Sequence, residues 1–375
     1  MLFSICEIDA MRLLRWCRFI PKEALFSAFP KGVIDLLLLY GFIKESTRYE
    51  TFLLTKTGNS LLEDHIEGIP HFARSNYSEE VYLRKTRVSR FVVTAYRAGL
   101  KPFHTDTSSL KERDSCVLTS MSRRGGINPW GSTRIAALVR LGDMLCGVHY
   151  VAPAIGKISL VDELNLFNNN TAFLGNCRRA VIYTGESYES ILAALSEREE
   201  DSDSRRTTYA DAFGKFSMPV FIVPCDTVGA MQLSMMRIPD YRQRMVKIAF
   251  GNTGIVSPPP ADHPEWDAMY QGRPLVMAAD MDFLRIDAAV GSAAASPYKK
   301  AYLLCLEGQK ELLRKKYKAK GMAESIIYIL WDKPELKREV FLYAPPDRQF
   351  ETAKGEVIHV PPIPKAHADS RKVKK

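Results

Sequence analysis

The sequence predicts a mixed α/β (α+β) protein, with a small helical unit closed by a β-ribbon at the N-terminus and a larger mixed-sheet region behind it. Three observations carry this. Between Asp9 and Leu62, three short runs have helical apolar spacing and are followed by two short strand-like runs. A long amphipathic run over residues 76–99 separates that part from the remainder. Beyond it, short apolar runs alternate with helical patterns, as in sheets whose strands are linked through helices.

Asp9–Phe19 (DAMRLLRWCRF) has helical spacing. Ile20-Pro21 ends it, because Pro lacks the amide donor and restricts the residue before it. Lys22–Phe29 is a second short helix, ended by Pro30. Gly32–Tyr40 (GVIDLLLLY) is a third, stopped at Gly41, where positive φ costs little. Phe42–Lys44 and Thr51–Leu54 are expected as strands joined by the polar turn Glu45-Ser46-Thr47-Arg48. Leu54-Thr55-Lys56-Thr57-Gly58 then leads into a further helix at Asn59–Leu62.

The run Leu38-Leu39-Tyr40-Gly41-Phe42-Ile43, followed by Phe52-Leu53-Leu54-Thr55-Lys56-Thr57-Gly58, resembles the winged-helix pattern of bacterial regulators and plasmid replication proteins. The resemblance implies a DNA-binding domain over residues 1–70 that faces the duplex with its third helix and wing. Lys31, Lys44 and Arg48 are its basic candidates. The third helix departs from the pattern: Val33, Ile34, Leu36, Leu37, Leu38 and Leu39 leave only Lys31, Asp35 and Tyr40 as polar side chains. Residues 1–83 also hold nine Lys/Arg against eleven Asp/Glu. Four consecutive leucines are too many for one core face, so this helix is equally a candidate homodimer or protein-partner contact.

In residues 76–99, Ser78 can cap a helix, Glu79 and Glu80 suit the positive end of its dipole, and Gly99 ends it. Val81, Val88, Phe91, Val92 and Ala95 share one face, and Arg87, Arg90 and Arg97 the opposite one. That is either a connector packed on the next domain or a basic face that tracks phosphates. Ser120–Gly126, with Arg123 and Arg124, has the composition of an anion-wrapping loop or of a flexible surface turn.

Thr133–Leu141 and Leu145–Val151 are expected as strands, and Leu160–Asn168 as a helix. Strand Arg179–Thr184 runs through Gly185-Glu186-Ser187 into helix Tyr188–Leu195, which implies a mixed or parallel sheet. Ser196–Arg206 is a charged loop, Pro219–Pro224 a strand, and Gly229–Ile238 either a strand or a Met-rich helix. Ser257–Pro264 has linker composition. Strands are expected at Leu275–Met281, Phe283–Ala289, Ala301–Leu306, Ser325–Trp331 and Glu339–Tyr343, with a basic helix at Gln309–Lys320. No internal repeat shows in the sequence order. The expected organisation is a 1–70 domain, a 76–99 connector, α/β parts over 114–256 and 265–360, and a basic tail at 361–375.

The net charge of +9 is unevenly spread. Residues 84–130 hold ten Lys/Arg against three Asp/Glu, residues 131–298 hold 15 against 19, and residues 299–375 hold 18 against 10. Basic segments flanking an acidic middle suit a polyanion, most simply double-stranded DNA, though solvated surface is the plainer alternative. The seven cysteines are scattered without CxxC spacing, against a disulfide framework or a zinc ribbon. No apolar stretch is long enough to span a bilayer, and Met1–Ala10 lacks a basic start and a cleavage signal. A cytoplasmic protein without membrane contact is expected.

Most catalytic patterns are missing. Gly156-Lys157-Ile158-Ser159 does not have the spacing of a phosphate-binding loop. The seven histidines form no His-apolar-His cluster. One constellation resembles restriction-endonuclease-like nucleases, which place an acidic residue on one strand and Glu-x-Lys on the next to hold a divalent ion. Asp280 and Asp282 with Glu307 and Lys310 are the candidates, although Glu307-Gly308-Gln309-Lys310 is one residue too long.

The layout as a whole resembles the replication-relaxation proteins of plasmids and integrative elements, whose C-terminal part is similar to a restriction-endonuclease fold with eroded catalytic residues. Leu145–Val151 (LCGVHYV) offers only His149 where acidic and Lys residues are expected. The resemblance implies a non-catalytic DNA-binding protein of a bacterial mobile element, acting in replication, mobilisation or regulation, with no cofactor. A nuclease needing a divalent metal and a winged-helix interaction scaffold are the alternatives.

Overall fold

The computed structural model describes residues 3–47, 49–66, 68–70, 77–122, 130, 133–151, 160–170, 174–196, 218–251, 256–331, 340, 349–351 and 357–359. The chain begins with a short strand, β1 (Phe3–Ser4), and Ser4 starts α1 (Ile5–Cys17) through a capping box closed by Glu7. Next come β2 (Ile20–Pro21), α2 (Lys22–Ala28), α3 (Lys31–Leu39), β3 (Ile43–Ser46), β4 (Thr51–Leu54) and α4 (Lys56–His65). Pro21 and Pro30 both stand at helix N-caps, so each stops one run and starts the next. Ile20-Pro21 does more than break a helix: it pairs with β4, giving an antiparallel sheet of order β2-β4-β3. Met11, Leu14, Ile20, Leu25, Ile34, Leu37, Phe52 and Leu62 are buried in this unit.

The Leu54–Gly58 pattern has a steric cause. Thr55 donates its N–H to the Phe42 carbonyl and its hydroxyl to the Gly41 carbonyl at 2.6 Å, and its Oγ1 caps the Gly58 N–H at 3.1 Å. A β-carbon at Gly58 would lie 2.2 Å from the Phe42 carbonyl oxygen, so only glycine lets α4 start there. On α3, Ile34 and Leu37 are buried, whereas Leu36 is 41% and Leu39 77% exposed. One short helix thus cannot bury its whole leucine run.

Ser78 caps α5 (Glu79–Arg97), and Gly99 follows it at φ 81°. The helix packs against α1, α2 and β2 on one side and against the next unit on the other. Tyr82, Phe91, Val92, Val93, Ala95 and Tyr96 are buried, so its apolar surface is wider than the single stripe expected. The Tyr96 hydroxyl donates to the buried Asp9 of α1 at 2.8 Å.

The next unit comprises β5 (Cys116–Leu118), α6 (Thr119–Ser122), β6 (Ile135–Leu141), β7 (Met144–Tyr150), α7 (Leu160–Asn169), β8 (Arg178–Gly185), α8 (Tyr188–Ser196), β9 (Val220–Pro224), α9 (Thr227–Met236) and α10 (Tyr241–Phe250). Its sheet has the order β5-β6-β7-β8-β9: β6 runs antiparallel to both neighbours, and β7, β8 and β9 are parallel. Of Gly229–Ile238, ambiguous in period, the part up to Met236 is helical, and Asp226 caps that helix by accepting the Gly229 N–H at 2.8 Å.

The last large unit comprises β10 (Val256–Ser257), β11 (Ala268–Tyr270), β12 (Arg273–Met277), α11 (Phe283–Ala295), β13 (Ala301–Cys305), α12 (Glu307–Ala319) and β14 (Ile326–Leu330). Its order, β10-β11-β12-β13-β14, and its strand senses reproduce those of the preceding sheet. A repeat invisible in the sequence is therefore present in the pairing. The second sheet already begins at Val256, ahead of the Ser257–Pro264 stretch. Phe283–Ala289, expected as a strand, lies in α11. Asp282 accepts from the Arg285 N–H at its cap, and Ile286, Ala289, Val290 and Ala293 are buried at helical spacing. Finally β15 (Gln349–Glu351) pairs with β1 and with β16 (Val357–His359). Apart from Val340, Glu339–Tyr343 lies outside the described residues, as does the basic tail.

The two sheets join through buried amides. Gln232 of α9 donates to the carbonyls of Ile222 (2.9 Å) and Asp280 (2.7 Å) and accepts from the Tyr188 hydroxyl. Gln309 of α12 donates to Tyr188 (2.8 Å) and to the Ala279 carbonyl (2.9 Å), and accepts from the Leu306 N–H. Both amides and the tyrosine are buried, and every bond crosses or borders the seam. Cys17, Cys146 and Cys305 are buried thiols, as their apolar runs suggest. No described helix is long and apolar enough to cross a membrane.

Candidate nucleic-acid interface

The turn between β3 and β4 is tight, with Tyr49 (φ 58°) and Glu50 (φ 45°) in the left-handed region. It is tied to α5: the Tyr49 hydroxyl donates to Glu79, the Tyr49 and Tyr82 rings lie 5.0 Å apart, and Thr51 shares a hydrogen bond with the Tyr82 hydroxyl. Lys44 is exposed on β3 and Lys31 on the first turn of α3. Arg48, Arg123 and Arg124 lie outside the described residues. Near Lys31, the exposed Asp35, Leu36 and Leu39 of α3 line a shallow apolar groove with Pro30, Gly32 and Val33, and Tyr40 is exposed just after the helix.

The three arginines of α5 do not form one outward face. Arg90 pairs with Glu23 of α2, and Arg97 donates to the Thr227 hydroxyl of α9 at 2.9 Å. Burial lowers the Arg97 pKa, against the pull of Asp226. Arg87 is half-buried, with the Tyr150 hydroxyl within its electrostatic reach. Arg90 and Arg97 therefore hold α5 to its two neighbours.

A different basic group comes together at the end of α1. Arg18 takes φ 71° after the last turn, and its guanidinium lies 5.5 Å from the centre of the Tyr77 ring. The Lys85 ammonium lies 5.2 Å from the same ring, and Arg84 is exposed beside it. Burial pushes Lys85 down to about 8, and repulsion from Arg18 and Arg84 adds to this. No local pattern in the sequence shows this grouping, because residue 18 and residues 84–85 meet only through the packing of α1 on α5.

Asp280 and Asp282 stand in a buried ion network. The Asp280 carboxylate accepts from the Tyr241 hydroxyl (2.9 Å), Arg242 Nε (2.7 Å) and Arg285 Nη2 (3.4 Å). Asp282 accepts from Arg242 Nη2 at 3.1 Å, and Asp267 from Arg285 Nη1 at 2.7 Å. Burial alone would raise the Asp280 pKa, but the two guanidiniums outweigh it and hold the carboxyl below its usual range. Burial and the neighbouring Asp280 push Asp282 the other way. Glu307 is exposed on the first turn of α12, and Lys310 is half-buried one turn on. Among the described residues no three His, Cys, Asp or Glu side chains form a group that could hold a metal ion. Asp280 and Asp282 are met by guanidiniums, which join α10 to the β12–α11 corner.

His149 sits on β7 under a second buried carboxylate. Glu163 of α7 accepts from Arg134 Nε (3.0 Å), Arg134 Nη2 (3.2 Å) and the Arg134 N–H (2.8 Å). His149 Nδ1 is 3.7 Å from Glu163, beyond hydrogen-bond reach, and neither ring nitrogen has a hydrogen-bond partner. Burial, with Arg134 adding to it, pushes the imidazole down to about 3. The guanidinium has already neutralised the carboxylate, so His149 gains little from its proximity and stays uncharged. No protein-family model, curated protein or solved structure matches this chain.

Proposed function

We propose that the protein is a non-catalytic DNA-binding protein of a bacterial mobile element, acting in the cytoplasm in replication, mobilisation or regulation. The observation that carries this reading is the N-terminal unit: three helices against a β2-β4-β3 ribbon, with a wing held on α5 and Lys31 and Lys44 exposed. That order resembles a winged-helix arrangement, for which double-stranded DNA is the natural partner. The β6–β7 hairpin, with β8 parallel to β7 and leading into a helix, supports a restriction-endonuclease-like scaffold behind it. The engagement of Asp280 and Asp282 by Arg242 and Arg285 favours binding over cleavage.

Titrating labelled random-sequence duplexes across salt concentrations tests this. Log affinity should fall linearly with log salt, by about 0.9 per phosphate contact. The exposed Leu36, Leu39 and Tyr40 favour a second reading, a protein-interaction scaffold that docks through α3. No binding at low salt by a chain that sediments as a dimer would replace the first reading with the second.

A further inference from the structure

We infer that the corner where α1 ends against α5, built from Arg18 and Lys85 around Tyr77 with the exposed Arg84 next to Lys85, is a docking surface for the phosphate backbone of a nucleic-acid duplex. It rests on the DNA-binding reading but moves the contact away from both α3 and the arginines that the sequence singled out.

Arg12, Arg15, Arg90, Arg134, Arg237, Arg242 and Arg285 each meet a carboxylate within 4.0 Å. Among the described residues, Arg84 and Lys85 meet none, as is also true of Arg140 and Arg273, but Arg84 and Lys85 are adjacent in the chain. They stand instead near a third cation, Arg18, which shares the Tyr77 ring with Lys85. Like charges held together cost free energy in the free chain, and an anion bound among them would relieve that cost. Burial is the main reason that Lys85 holds its proton less tightly, and Arg18 and Arg84 add to it.

The placement also fits an extended polyanion. Phe19 packs edge-on to Tyr77 (5.7 Å) and against Tyr82 (4.1 Å), and Tyr82 in turn holds the wing through Tyr49 and Thr51. Aromatic contacts thus link the corner to the wing, and one backbone strand could meet both. A planar guanidinium and a flexible ammonium beside a tyrosine suit phosphate oxygens without reading a base. Binding there should be independent of sequence.

The test uses the full chain, with an Arg84→Gln/Lys85→Gln double variant titrated against a random-sequence duplex over a salt series. We expect affinity to fall roughly ten-fold and the salt slope to flatten by about 1.8, at about 0.9 per lost contact. Arg84→Lys/Lys85→Arg should keep both. Lys299→Gln/Lys300→Gln, exposed on the turn after α11, is the control and should change neither. An unchanged slope in the double variant, with wild-type binding intact, overturns this inference and leaves the functional reading standing. Wild-type protein that fails to bind at low salt overturns both. A second measurement needs no variant: acetylation of the Lys85 amine, read by mass spectrometry, should drop several-fold when a duplex is added. Equal labelling with and without saturating duplex also overturns the inference.

Discussion

Replacing Arg285 with methionine should lower stability by about 3–5 kcal/mol near neutral pH, the usual cost of leaving buried charges without their partner. The guanidinium bonds Asp267 at 2.7 Å, donates to the Met277 carbonyl and reaches Asp280 at 3.4 Å, while its side chain is only 12% exposed. Without it, Asp267 loses its cation and Asp280 keeps only Arg242. Lysine should not rescue, since one ammonium cannot span acceptors that a planar fork reaches together. The sign with pH follows from the folded-state shift. Asp280 is held below its unfolded value, so its contribution is present above about pH 4 and is lost on acidification. In the methionine variant that contribution shrinks, and the gap to wild type should narrow as the carboxylates protonate. Urea unfolding at pH 7 and at pH 3 reads both effects. A neutral-pH loss under about 1 kcal/mol would show that the network compensates little buried charge.

The second large effect is acid sensitivity from His149. Its pKa falls from 6.5 to about 3 in the folded chain, so the unfolded chain takes up the proton first. The His149 contribution is therefore complete above pH 6.5 and is lost progressively down to about pH 3, by about 1.4 kcal/mol per pH unit at most. Over that interval of about 3.5 units the total is on the order of 5 kcal/mol. His149→Phe fills a similar volume, removes two unpaired buried nitrogens and should flatten the stability profile between pH 6 and pH 4. The urea midpoint at half-unit intervals checks this. An identical slope in wild type and variant would mean that another group carries the acid response.

The N-terminal unit was legible because Pro and Gly act locally. Pro21, Pro30 and Gly41 constrain their own backbone, and Gly58 is required by one carbonyl contact. Phe283–Ala289 reads as a strand because its seven residues hold a strand-like apolar run. Only the alanines up to Ala295, with Asp282 at the cap, reveal the helical period. The repeated sheet order was not legible at all, since pairing sense is a property of the assembled backbone. Met144–Tyr150 and Arg273–Met277 occupy the same place in their sheets without sharing a residue pattern. The carboxylates were found, but not Arg242 and Arg285, which engage them. The seam amides, such as Gln309 against Tyr188, 121 residues away, were likewise out of local reach.

The central claim, that the wing side of the N-terminal unit lies on a duplex, is tested most directly by hydrogen exchange on the full chain with and without DNA. Bound duplex should slow exchange in the wing strands Ile43–Ser46 and Thr51–Leu54, at the end of α1 and in the first half of α5, and leave β13 and α12 unchanged. Protection confined to β13 and α12, or a wing and an α1–α5 corner that exchange equally fast in both samples, would contradict it.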